Sequence, residues 1–198
     1  VGTSWGADFD KGVAAYESGD FATALREFRP LAEQGDADAQ YNLGVMYRRG
    51  KGVPQNNKTA VKWYTLAAEQ GYAFAQHNLG LMYDKGEGVP QDYKTAVKWY
   101  TLAAEQGVAR AQTNLGLMYY EGEGVPQNNK SALKWFTLAA EQGHAFAQAI
   151  LGATYAEGFG VLQDDKTAVK WYTLAAEQGN AGAQFYLGAM YRKGEGVS

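Results

Sequence analysis

Cysteine is absent from the 198 residues, which excludes disulfides, thiolate metal sites and a cysteine nucleophile. Histidine is scarce, at two. Neither His77 nor His144 has a second histidine or a carboxylate at metal-ligand spacing on its own helix, and no H-E-x-x-H exists. No serine stands in a G-x-S-x-G setting. No apolar run approaches the roughly 20 residues of a membrane-spanning helix. The net charge is −3, with acids and bases interleaved, so the basic stripe that nucleic-acid binding demands is missing. These absences leave no visible catalytic residues and no reason to expect a cofactor, a metal, a nucleic acid or a membrane span.

Proline is also sparse, at four, yet Pro54, Pro90 and Pro126 recur at one spacing. So does much else. Residues 58–71, 94–107, 130–143 and 166–179 each read K-[TS]-A-[VL]-K-W-[YF]-T-L-A-A-E-Q-G, 36 residues apart. A period in this range marks an array in which each unit buries its apolar face against its neighbours. Within one unit, Ala39, Leu43, Met46 and Tyr47 share a helical face. Gly50, Gly52 and Pro54 then stop that helix. Asn56, like Asp92, Asn128 and Asp164, is suited to cap the start of a second helix. Ala60, Trp63, Tyr64, Ala67 and Ala68 form the second stripe, closed by Gly71. The Gly50-Lys51-Gly52 and Gly86-Glu87-Gly88 turns follow helices and lack the remainder of a nucleotide motif, so they are connectors. Asn57-Lys58-Thr59 and Asn129-Lys130-Ser131 match a glycosylation sequon but read as helix-start chemistry. Trp63, Trp99, Trp135 and Trp171 are expected to pack in the core rather than to form a ligand ladder.

The order A-x-A-Q-x-x-L-G-x-M-Y-x-x-G-x-G-V-P-Q, then A-V-K-W-Y-x-x-A-A-E-Q-G, closely resembles the Sel-one-like repeat (SLR) family, relatives of the tetratricopeptide repeats. The resemblance implies an all-α fold, a right-handed α/α superhelix (solenoid) of stacked helical hairpins. We expect one repeat domain over residues 1–198. It would comprise an N-terminal capping hairpin at 8–35, full repeats at 36–71, 72–107, 108–143 and 144–179, and the first helix of a further repeat at 180–198. In the cap, Glu27 stands where later copies have tryptophan, and Pro30 should bend or end its helix. The stripe Ala183, Leu187, Met190 and Tyr191 has no second helix to cover it, which suggests self-association through the C-terminal edge or a continuing chain. Small residues at Ser4, Gly6 and Ala7 suit the tail of a secretory signal, as they equally suit an ordinary terminus. A periplasmic or secreted location is expected, with the cytoplasm as the alternative.

Differences between copies point to a surface. The second helices hardly vary, whereas the first helices vary at Asp38, Phe74, Arg110, Phe146 and Gly182; at Tyr41, His77, Thr113, Ala149 and Phe185; and at Arg48, Asp84, Tyr120, Ala156 and Arg192. These three slots fall on one helical face and are expected to be solvent-facing. Beside them run Asn42, Asn78, Asn114, Ile150 and Tyr186. By resemblance to tetratricopeptide-like arrays, first helices line the concave groove, and Asn42, Asn78 and Asn114 would bond a bound peptide's backbone, an amide offering both donor and acceptor. The fourth copy departs furthest, with Ile150 for Asn, Thr154 for Met, Phe159 for Lys or Glu and Leu162 for Pro. Apolar anchoring is therefore expected near Phe146, Ile150 and Phe185. The resemblance implies a bacterial protein-interaction scaffold or adaptor that binds a protein or peptide segment. Cysteine-rich relatives are associated with binding or hydrolysing β-lactam-like compounds; this chain lacks their cysteines. Self-assembly is the structural alternative.

Overall fold

The computed structural model describes residues 6–196. The residues of the expected signal tail before Gly6, and the last two, lie outside them. All regular structure among the described residues is helical: α1 (Phe9–Ser18), α2 (Phe21–Glu33), α3 (Ala37–Arg49), α4 (Asn57–Glu69), α5 (Ala73–Lys85), α6 (Tyr93–Glu105), α7 (Ala109–Glu121), α8 (Asn129–Glu141), α9 (Ala145–Glu157), α10 (Asp165–Glu177) and α11 (Ala181–Lys193). The chain divides into two compact units, residues 1–102 and 103–198. In the first, α1 packs on α2, α2 on α3, α3 on α4 and α4 on α5. In the second, α7, α8, α9, α10 and α11 pack in the same serial manner. Each unit is thus a run of hairpins in which sequence neighbours are spatial neighbours.

Local chemistry sets the helix ends. Asn56 and Asn128 accept hydrogen bonds from the backbone amides of Thr59 and Ser131. Asp92 and Asp164 cap their helices in the same way, satisfying amides that have no partner inside the helix. Their carboxyl pKa values lie below the ordinary range, chiefly through the hydroxyls of Thr95 and Thr167. Pro30 does not end its helix: α2 continues to Glu33, with Phe28 and Ala32 buried on either side of the ring. The last turn is held by apolar burial, and only the proline's own backbone donor is lost.

Two fasteners hold the helices of the array together, within hairpins and between them. The first is a glutamine ladder. Gln40, Gln76 and Gln148, each almost fully buried, donate through Nε2 to the carbonyls of Ala32, Ala68 and Ala140 at 3.1 Å. The side chains of Gln70, Gln142 and Gln178 donate in turn to the amide oxygens of Gln40, Gln112 and Gln148 at 2.7–2.8 Å. Buried amides are costly unless bonded, so this ladder requires the A-Q and E-Q-G positions to stay constant.

The second fastener is an aromatic ring laid on a glycine. A Cβ added at Gly44, Gly80, Gly116 or Gly152 would come within 2.5–2.7 Å of Tyr64, Tyr100, Phe136 or Tyr172. The fully buried aromatic of each repeat is therefore the residue after the tryptophan. The tryptophans themselves are half-buried: Trp63, Trp99 and Trp171 lie at the edges of neighbouring apolar clusters. Lysines cover the rings of Trp99, Trp135 and Trp171 from outside, their ammonium groups 5.1–5.7 Å from the ring centres.

In the cap, Glu27 replaces that tryptophan. It is buried, receives the Asp8 amide at 3.1 Å and pairs with Lys11 at 2.8 Å. The hydrogen bond from Lys11, then that from Asp8, hold its carboxyl below the usual range.

Candidate binding face of the first helices

The variable face is built differently in the two units. In the first, α3 and α5 meet through side chains that fill the space between them. Tyr41 is half-buried, its ring centre 5.2 Å from Tyr72, 6.0 Å from Tyr64 and 6.3 Å from Phe74. Burial, and then the neighbouring Asp38, raises the pKa of the Tyr72 hydroxyl. Phe74 remains 54% exposed. Asn78 faces the hydroxyl of buried Tyr64 and partly offsets the rise in its pKa that burial causes, and Asn42 donates to the carbonyl of Asp38 at 2.9 Å within its own helix. Arg48 pairs with Glu87, in the loop after α5, at 3.3 Å. His77 stands half-buried, 5.9 Å from the Tyr100 ring.

Two residues of the slots expected to face solvent do not. Asp84 is 9% exposed and accepts from the Tyr100 hydroxyl at 3.2 Å. Thr113 is 1% exposed; its hydroxyl bonds the Ala109 carbonyl at 2.9 Å and lies 3.0 Å from Nδ1 of His144. Burial, and then the charge of Arg110, holds the His144 imidazole below its ordinary pKa. In both cases the covering partner comes from another helix, and the residue's own helical periodicity cannot reveal it.

In the second unit the equivalent space is open. A groove of about 350 Å³ runs between α9 and α11, lined by Phe146, Ala149, Ile150, Ala153, Tyr172, Asn180, Gly182, Ala183 and Tyr186. Where α3 and α5 hold Tyr41, Val45 and Phe74, these helices hold Ala149, Ala153 and Gly182. The groove is made by removing three side chains. Tyr186 stacks on Tyr172 at 5.7 Å, and burial raises the Tyr172 hydroxyl to about 12.

A second cavity of about 220 Å³ lies on the other side of Ile150 and Ala153, lined by Leu117, Tyr120, Phe136, Ile150, Ala153, Thr154, Glu157 and Phe159. Its walls are paired replacements of polar contacts found in the first unit. Arg48 and Glu87 become Tyr120 and Phe159, whose rings meet edge-on at 6.3 Å. Tyr64 and Asn78, whose amide faces the Tyr64 hydroxyl, become Phe136 and Ile150, which lack both the hydroxyl and the amide. Met82 becomes Thr154, and Leu81 becomes Ala153.

Among the residues singled out from the sequence, Phe146, Ile150, Tyr186 and Tyr120 therefore come together around two adjoining cavities. Phe185 is 72% exposed beside Tyr186, their ring centres 5.4 Å apart, but outside the lining. Arg110 is exposed near His144, and Asn114 is half-buried. Tyr41, Asn42, Arg48, Phe74, His77 and Asn78 lie in the filled first unit. Leu162, 91% exposed, lines neither cavity. Ala153 and Glu157 were not singled out from the sequence. The signal that could have found Ala153 is a small residue in a slot that other copies fill with Val45, Leu81 and Leu117.

On α11, Ala183 and Met190 are buried, whereas Tyr191 is 57% exposed. Nothing lies within 4 Å of a Cβ built on Gly188, unlike its four ring-covered counterparts. Among the described residues no helix is long and apolar enough to cross a membrane, and no group of three or more His, Cys, Asp or Glu side chains is placed to hold a metal.

Comparison with known proteins places this geometry. The Sel1 repeat model matches residues 37–72, 73–108, 109–144, 145–180 and 181–198. A Sel1 repeat protein from Oxalobacter formigenes has a similar structure, with a TM-score of 0.89 and 40% identity over 94% of this chain and 74% of its own. A protective antigen of uropathogenic Escherichia coli with an SLR fold gives a TM-score of 0.91 and 41% identity over 96% of this chain, which spans only 42% of that antigen. Cysteine-rich protein B of Helicobacter pylori is more distant, with a TM-score of 0.53 and 25% identity over 67% of this chain and 95% of its own. No curated protein sequence matches.

Proposed function

This chain belongs to the Sel1 repeat family, whose members generally serve as protein–protein interaction scaffolds, and from that premise we propose that it binds a protein or peptide segment along the first helices of its second unit. The observation that carries this reading is the paired exchange around Ile150. Random decay would strip one member of a polar contact and leave the other unsatisfied in the interior, at a cost of about 1–3 kcal/mol. Here both members change together, and the result is open apolar surface. Such surface is a common mark of a partner site, and aromatic residues such as Phe146 and Tyr186 are the types that dominate binding energy. Asn42, Asn78 and Asn114 are proposed only as a secondary backbone-contacting row, because Asn42 already bonds within the protein and Asn78 already faces the Tyr64 hydroxyl.

The test is site-specific photocrosslinking in cells that make the protein. Benzoylphenylalanine at Phe146 should give a discrete crosslinked partner, and the same group at exposed Lys134 on α8 should not. Equal crosslinking from both positions, or none from Phe146, would sink the reading.

An exported location, periplasmic or secreted, is part of the proposal. It draws support from the protective antigen among the relatives. Self-association through α11 is a second reading, favoured by the uncovered Gly188 and exposed Tyr191. Sedimentation velocity over a hundredfold concentration range separates it from a monomeric adaptor.

A further inference from the structure

The two cavities differ in size and share a wall, and the smaller ends at a charge; these facts constrain what occupies them. Along α9 the larger is lined by Phe146, Ala149, Ile150 and Ala153, the smaller by Ile150, Ala153, Thr154 and Glu157. The α9 residues of the two linings are displaced along the helix by about one turn, roughly 6 Å at 1.5 Å per residue, and the cavities lie on opposite sides of Ile150 and Ala153. Alternate side chains of an extended peptide project to one side about 6.6–7 Å apart. An extended segment that crosses α9 obliquely over Ile150 and Ala153 can therefore place alternate side chains, i and i+2, in the two cavities.

Glu157 is the only carboxylate in either lining and has no ion-pair partner among the described residues. It is also the last residue of α9, where the helix dipole favours a cation. The equivalent slot holds Arg49 in α3 and Lys85 in α5 but Glu121 in α7, so the basic residue of the first unit is replaced by an acid where the smaller cavity ends.

We propose that the occupant is an extended peptide with an aromatic side chain in the larger cavity, an aliphatic one in the smaller, and a lysine or arginine facing Glu157. This inference rests on the scaffold reading above and specifies the partner's chemistry.

The probes are two fluorescein-labelled peptides with Gly-Ser flanks, one bearing Phe-Ser-Leu-Ser-Lys and the other the reversed order, since the chain direction is set by neither cavity. Fluorescence anisotropy should show saturable binding of one order with a Kd below ~1 mM. Glutamate in place of the peptide lysine should weaken it at least about threefold, the range of a partly exposed ion pair. Glu157→Gln should erase that preference, and Glu157→Lys should invert it. Ala153→Leu should weaken binding about tenfold or more by filling both cavities. Leucine and lysine already occupy these slots in α5, and a thermal melt verifies that the variants fold. No saturable binding of either order at ~1 mM, or equal binding of lysine and glutamate peptides, overturns the assignment. Crosslinking from Phe146 is independent of anchor chemistry, so it still decides the scaffold reading if these peptides fail.

Discussion

The pairing of α3 with α5 and that of α9 with α11 start from one repeat pattern and end in different surfaces. The first is closed by Tyr41, Tyr72 and Phe74 and pinned by polar contacts from Asn78 to Tyr64 and from Arg48 to Glu87. The second keeps the same helices, the same ring on glycine and the same glutamine ladder, yet holds a groove of about 350 Å³. The fasteners that hold hairpins together are thus separable from the face that varies. An array can open a site in one repeat without weakening its stacking, because its stability sums over intrinsic and nearest-neighbour terms.

The largest effects should come from the shared fasteners. Tyr64→Ala removes a ring that is 1% exposed and should cost about 3–5 kcal/mol. Trp63→Ala, at a half-buried position, should cost visibly less. Chemical denaturation of both variants provides the check, and the reverse order would restore the tryptophan as the centre of the repeat. Next, Gly116→Ala forces a methyl against the Phe136 ring and should cost about 1–3 kcal/mol. Gly188→Ala, with open space at its Cβ, should cost almost nothing. Comparable losses at the two glycines would break the ring-on-glycine account.

A smaller effect sharpens the contrast between the grooves. Phe136→Tyr brings a hydroxyl beside Ile150 without the amide that Asn78 supplies to Tyr64, and should destabilise by about 1 kcal/mol or more. Adding Ile150→Asn should recover part of that loss. A double-mutant cycle reads the coupling, and purely additive losses would mean that the exchange of Tyr-Asn for Phe-Ile was not paired.

Much of the frame was legible before any coordinates. The 36-residue spacing gave the hairpins, and Asn56, Asp92, Asn128 and Asp164 marked where second helices begin. The choice between Trp63 and Tyr64 as the buried ring was not legible, because both lie on one stripe and the rotation of the helix decides. Gln40 and Gln70 were visibly constant, but their bond spans 30 residues and leaves no local signature. Phe146, Ile150 and Tyr186 stood out as apolar departures. The groove they border depends on Ala149, Ala153 and Gly182, and a residue that acts by being small gives no hydrophobic signal. Thr113 and Asp84 looked free to vary because what buries them lies on neighbouring helices.

The most direct measurement refills the open groove with the side chains of the closed one. Ala149→Tyr, Ala153→Val and Gly182→Phe together give α9 and α11 the residues of α3 and α5. We expect the triple variant to melt close to the parent protein and to crosslink the partner from Phe146 at least about tenfold less, equivalent to about 1.4 kcal/mol of binding. Undiminished crosslinking by a well-folded triple variant would contradict the claim that the second unit binds through this groove.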